Sequence, residues 1–271
     1  MGSDIDDAVA LAYLLRQPAC ELVGITTVTG DTAKRAAMAE IVCRAAGRDD
    51  TPVLRGGERP LLHGPGQPDV PQYDAIAHRS HTLDRPPDTA VTFMRETIRS
   101  RPGEITLLTV GPLTNAALLF ALDPEIPSLL AGFVSMAGWF TSPRPEWNAF
   151  VDPVASAIVY RHGVPGHRSV GLDVTLRCRM PADEVRKRFT HPPLDVVRDA
   201  AEVWFGHRPD ITFHDPLATV CVFEPDVCTF TDGRVHVEPN GQTTFTAGEG
   251  PHRIATDVDV DAFFERYFAV F

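Results

Sequence analysis

Three runs of apolar, β-branched-rich sequence, each closed by a glycine, constrain this chain more than any other feature. They are Leu22–Thr29 (LVGITTVT, then Gly30), Glu104–Val110 (EITLLTV, then Gly111) and Leu130–Ala137 (then Gly138). Runs of this kind predict buried strands. Helical patterns separate them: the Ala-rich Thr32–Ala46 closed by Gly47, the stretch Asp88–Ser100, and the segment GPLTNAALLFAL. In the last of these Pro112 is placed to open the helix, because its missing N–H costs nothing there. The alternation predicts an α/β sheet with right-handed crossovers.

The remaining segments fit the same frame. An opening helix is expected over Asp7–Arg16, ending before Pro18, and a short strand over Thr51–Leu54. Gly56–Asp84 is rich in Gly, Pro and His and has no periodicity; it reads as a long loop, either a pocket lid bearing His63, His78 and His81 or a surface segment. Asp152 begins a helix with Pro153 in its first turn and Gly163 after it. Ser169–Thr175 reads as a strand, and Pro181–Phe189 and Leu194–Phe205 as helices that cap one end of the sheet. Val235–Thr246 reads as a hairpin turning at Asn240 and Gly241, Arg253–Val258 as a strand and Asp261–Phe268 as a closing helix. Neither repeats nor an interdomain linker are visible, so residues 1–271 read as one domain.

Composition narrows the function. With 44% hydrophobic and 23% charged residues the chain reads as globular and soluble. A formal charge of -11 argues against a nucleic-acid partner. No apolar run approaches the roughly 20 residues of a membrane span, and the N-terminus has no signal-peptide pattern. The 5 cysteines are odd in number and lack metal-site spacing. They read as buried free thiols of a reducing compartment, hence a cytoplasmic protein.

The chemistry concentrates at junctions. MGSDIDDAVALAYLL places Asp4, Asp6 and Asp7 at a helix start, where one carboxylate would serve as a cap. Three repel one another unless a cation lies among them, so caps and a divalent-metal site both stand as readings. The TVGP junction, the PEWN segment and the HDP segment also hand over to helices, and in a parallel sheet such junctions gather at one edge. Asp7, the Thr109 carbonyl and Asp215 can then surround one ion, with oxygen ligands favouring Ca²⁺ or Mg²⁺ over zinc or copper. His214 beside them can give a proton to a leaving group, or serve as a buried polar residue paired with backbone.

These pieces resemble the inosine–uridine-preferring nucleoside hydrolases, Ca²⁺-dependent N-ribohydrolases. The resemblance is carried in order by GSDIDDAVAL (2–11), GITTVTGD (24–31), EITLLTVGPLTNAA (104–117), PEWNAFVDPVA (145–155) and HDPLA (214–218). It implies a doubly wound, mostly parallel α/β core with additional helices over a pocket, homodimers or homotetramers, and cleavage of the bond between ribose C1′ and a nucleobase. It also implies that Asp7 and Asp215 bind Ca²⁺ with the carbonyl of Thr109 or Val110. Asp6, Glu146 and Asn148 would grip ribose hydroxyls, and His214 would stand near the leaving base. Asp31 occupies a place where many members have a sugar-binding asparagine, which suggests an altered grip. The WFTSPRPEWN segment is shorter than its counterparts and lacks one sugar contact; Trp139, Phe140 or Trp147 is expected to stack on the base instead.

The family pattern opens with a strand and a DxD segment ahead of the glycine matched by Gly2. The expectation is a start inside a longer coding region, leaving the first strand missing and its neighbours' edges unpaired. The alternative is that Asp4 replaces the absent base. Three further readings remain: a nucleoside- or sugar-binding homologue impaired in turnover, a metal-dependent phosphatase-like enzyme, and a structural domain whose acids are only caps. A phosphatase would want a lysine at the site, and Lys34 and Lys187 lie at none of the junctions.

Overall fold

The computed structural model describes residues 1–271. Ten strands form in chain order: β1 (Ile25–Thr27), β2 (Val53–Arg55), β3 (Thr106–Thr109), β4 (Gly132–Ser135), β5 (His167–Ser169), β6 (Arg179–Pro181), β7 (Asp210–Thr212), β8 (Cys228–Val237), β9 (Thr243–Ala247) and β10 (His252–Val258). The main sheet runs β3-β4-β5-β10-β8-β9, parallel from β3 to β10 and antiparallel beyond. β1 and β2 form a separate parallel pair, and β6 with β7 an antiparallel ribbon. Helices flank these strands, giving the mixed, mostly parallel α/β fold the alternation implied.

All three apolar runs yield shorter strands than their sequence suggests, Leu130–Ala137 contributing only Gly132–Ser135. Leu22–Thr29 contributes only Ile25–Thr27, and Glu104–Val110 only Thr106–Thr109. Each has a ladder partner on one side alone, β2 for β1 and β4 for β3, and no strand stands between them. Residues 21–29 and 104–112 instead line one cavity of about 600 Å³. Regular strand geometry stops where hydrogen-bonded partners stop.

Another segment departs from expectation in kind. Ser169–Thr175, expected as a strand, leaves the sheet after the Val170 N–H reaches the Ser135 carbonyl and coils into a helical turn, Leu172–Thr175. The Leu172 N–H donates to the Gly138 carbonyl, and the Asp173 carboxylate accepts from the N–H groups of Phe140 and Thr141. The segment is thus tied to the end of β4 rather than to a neighbouring strand.

Helices α1 (Asp6–Arg16) and α2 (Thr32–Ala45) match the pattern closely. So does the helix Pro153–His162, capped by the Asp152 side chain and stopped by Gly163 in the left-handed region. α1 packs along the helix His214–Phe223, and a cluster of rings fixes the pair. Tyr267 stacks on Tyr13 at 5.5 Å, meets Phe213 edge-on at 5.5 Å, and donates its hydroxyl to the Val9 carbonyl. Each such ring pair contributes about 1 kcal/mol beyond its buried area. Phe213 immediately precedes His214, so this packing sets two helix starts side by side. All five cysteines are free, and four are buried.

Candidate active site

The two helix starts meet on the wall of the cavity. α1 begins with Asp6 and Asp7, and the second helix with His214 and Asp215; both N-termini present unpaired N–H groups and a positive dipole end, which hold carboxylates. Asp6, Asp7 and Asp215 each bring a carboxylate oxygen within 4.8 Å of the others. The Asp215 N–H donates to Asp6 Oδ2 at 3.0 Å. Asp6 and Asp215 are buried, and the Met1 ammonium lies 2.9 Å from Asp7 Oδ1.

Burial and then neighbouring carboxylates push Asp6 up to about 7 and hold Asp4 and Asp215 well above the usual carboxylate range. Carboxylates so placed are costly as anions unless a cation neutralises them. The donor set is oxygen only, which suits a hard divalent ion. Acids from opposite ends of the chain therefore make a site fit for a metal, as the sequence implied. Asp4 lines the cavity beside them, one oxygen held by the Ile5 N–H.

Thr109 and Val110 both line the cavity and differ in what engages their carbonyls. The Thr109 carbonyl accepts the Met136 N–H at 2.9 Å, continuing the β3–β4 ladder. The Val110 carbonyl accepts from Asn148 Nδ2 at 3.3 Å, as does the Met136 carbonyl at 3.1 Å.

Glu146 is buried at the start of the short helix Trp147–Val151. Its carboxylate accepts from the N–H groups of Asn148 (2.6 Å), Ala149 (3.1 Å) and Gly138 (3.2 Å), locking the end of β4 to that helix. Burial raises it to about 7 in spite of those bonds. Trp147 lines the cavity and is 52% exposed, with Phe150 at 5.8 Å. Trp139 instead carries the Arg144 guanidinium at 5.2 Å, and Phe140 packs on Phe245; neither lines the cavity.

Asp31 is the N-cap of α2, accepting the Lys34 N–H at 3.0 Å, and stands outside the cavity wall. His63, His78 and His81 also lie off it: His63 meets the Pro239 carbonyl and His81 the Tyr73 hydroxyl. The long loop contributes Gln67. His214 lines the cavity, its Nδ1 2.7 Å from Thr175 Oγ1; burial lowers its pKa, against the attraction of Asp4.

One residue of the site escaped the sequence reading. Arg35, buried in α2, donates to the carbonyls of Thr29 (2.7 Å), Met1 (2.5 Å), Gln67 (2.6 Å) and Asp69 (3.3 Å) and to Ser3 Oγ (2.9 Å). It fastens the acidic start to the long loop and to Thr29, whose φ is 63°. Its only signal was an arginine set among the alanines of a helix's buried face.

The chain is similar to known proteins over nearly its whole length. The profile of the "Inosine-uridine preferring nucleoside hydrolase" family matches residues 1–265. Uridine nucleosidase 1 of Arabidopsis thaliana is 30% identical over 264 residues, covering 88% of this chain and 76% of that protein. The pyrimidine-specific ribonucleoside hydrolase RihA of Citrobacter koseri is 28% identical, covering 95% and 92%. Among solved structures, the plant nucleoside hydrolase PpNRh1 superposes with a TM-score of 0.84 at 24% identity, covering 100% of this chain and 95% of that one. A purine-preferring ribonucleoside hydrolase from Gardnerella vaginalis gives 0.84 at 23%, covering 100% and 96%. The chain belongs to the inosine-uridine preferring nucleoside hydrolase family and is a hydrolase of the N-glycosidic bond of nucleosides.

Proposed function

We propose that this chain releases ribose and free base from ribonucleosides, using Ca²⁺ held by Asp7, Asp215 and a main-chain carbonyl at Thr109 or Val110. The observation that carries this reading is the convergence of Asp6, Asp7 and Asp215 within 4.8 Å on the cavity wall. Bound there, Ca²⁺ supplies Lewis acidity that polarises water and lowers its pKa. Asp4 takes up the proton water gives away, and Asp6 holds the ribose hydroxyls and shares in that proton transfer. Glu146 and Asn148 hold the sugar as C1′ develops oxocarbenium-like charge. His214 donates to the departing base, and Trp147 offers it a stacking face. Asp31, whose Oδ1 caps α2, is a further group for the ribose hydroxyls through its second oxygen.

Uridine is the first substrate we infer, supported by relatives at 28–30% identity that carry uridine or pyrimidine names. Neither Lys34 nor Lys187 lines the cavity, which favours glycosidic cleavage over phosphoryl transfer. We further infer a single domain over residues 1–271, working as a homodimer or homotetramer in the cytoplasm; its free, mostly buried thiols support a reducing compartment. No helix is long and apolar enough to cross a membrane.

The test is ribose release from uridine, cytidine and inosine with added Ca²⁺, repeated after EDTA. Turnover that survives thorough chelation overturns the metal's role. Calorimetric binding of nucleoside without ribose release overturns turnover itself.

A further inference from the structure

We infer that Thr175 is a positioning residue that fixes the tautomer of His214, placing its ring proton on Nε2, toward the cavity. The inference rests on the reading above in which His214 serves the departing base.

Thr175 ends the helical turn Leu172–Thr175 and is fully buried, whereas His214 is partly exposed and lines the cavity. The Thr175 hydroxyl has one hydrogen-bond partner, His214 Nδ1 at 2.7 Å. A buried hydroxyl hydrogen needs an acceptor, and Nδ1 is the acceptor within reach. Were Nδ1 protonated and donating, the hydroxyl hydrogen would be left buried without a partner, the costlier arrangement. Thr175 therefore donates, Nδ1 accepts, and the neutral ring carries its proton on Nε2. Nε2 makes no hydrogen bond within the protein, so that N–H is free to meet a ligand atom in the cavity. The turn bearing Thr175 is held to the end of β4 through Leu172 N–H and the Gly138 carbonyl, on the loop that Glu146 also grips. The same local framework thus positions the sugar side and the base side of the site.

The test compares Thr175→Val, which keeps shape and removes the hydroxyl, with Thr175→Ser, which keeps it. Ring ¹⁵N NMR of His214 is expected to show protonated Nε2 and unprotonated Nδ1 in the parent and in Thr175→Ser, and a tautomer mixture in Thr175→Val. On uridine, Thr175→Val is expected to lose about tenfold in kcat with KM held, the scale of a weakened proton donor. On p-nitrophenyl riboside, whose leaving group departs without a proton, the change is expected to stay below about twofold. A protonated Nδ1 in the parent, or equal loss on both substrates, overturns the inference. If the parent itself releases no ribose, the hydrolysis reading fails, while the NMR arm still decides the tautomer.

Discussion

The backbone N–H of Asp215 donates to the Asp6 carboxylate at 3.0 Å, joining residues 209 positions apart in sequence. This bond fixes the spacing of two helix N-termini, and with it the separation of the carboxylates in the acidic cluster proposed to bind Ca²⁺.

Removing a ligand tests that site directly. Asp7→Asn and Asp215→Asn each keep the shape and remove one charge from an oxygen set whose affinity depends on charge count. Each is expected to weaken Ca²⁺ binding by at least about tenfold, with a matching loss of ribose release. Calorimetric titration reads the first and a reducing-sugar assay the second. Parent-like Ca²⁺ affinity in both variants would remove these residues from the metal shell.

The raised carboxylates predict how pH and Ca²⁺ interact. Asp6 and Glu146 stand at about 7 in the folded chain, against ordinary values of 3.8 and 4.5. Acids raised by folding bind more protons folded than unfolded. Their stabilising contribution is complete below the unfolded pKa near 4 and is lost as pH climbs through 7. His167, His214 and His252, lowered by burial, act in the opposite sense below their ordinary 6.5. A comparison with and without Ca²⁺ isolates the acids, because Asp6 and Asp215 must shed their protons as the ion binds. Ca²⁺ at about a hundred times its dissociation constant is expected to raise Tm by about 5 °C or more at pH 8. At pH 5.5 the same concentration is expected to raise it far less. Equal shifts at the two pH values would contradict this.

Arg35 predicts a stability effect away from the chemistry. Lysine cannot reproduce a fork that reaches four carbonyls and a hydroxyl. Arg35→Lys is expected to cost about 2–4 kcal/mol, since several buried carbonyls lose their donor together. Urea unfolding measures that cost, and a parallel rise in KM would report loosening of the loop around Gln67.

Glu146 predicts a mixed effect. Its three N–H donors make Glu146→Ala both the loss of a helix cap and the loss of a loop anchor. A cost of about 1–3 kcal/mol is expected, read by thermal unfolding, together with a higher KM for uridine. Unchanged stability would mean that these bonds are replaced by solvent.

Much of this was legible because the signals are local. The caps at Asp152 and Gly163, the Ala-rich α2 and the hairpin turn at Asn240 and Gly241 each depend on a few neighbouring residues. The convergence of Asp7 and Asp215 followed from the rule that strand-to-helix junctions share one edge. What stayed hidden depends on remote partners. Nothing near Ser169–Thr175 announces that Gly138 and Phe140 will draw it out of the sheet. The anchoring of Glu146, beside its expected sugar contact, was hidden because the Gly138 N–H that shares its carboxylate lies eight residues away.

Tyr267 makes the opening and closing helices depend on each other. Its ring lies on Tyr13, its hydroxyl reaches the Val9 carbonyl, and Phe213 beside it leads into His214. A lesion in the closing helix, remote from the cavity, is therefore expected to reach the acids by releasing the wedge that orients both helix starts.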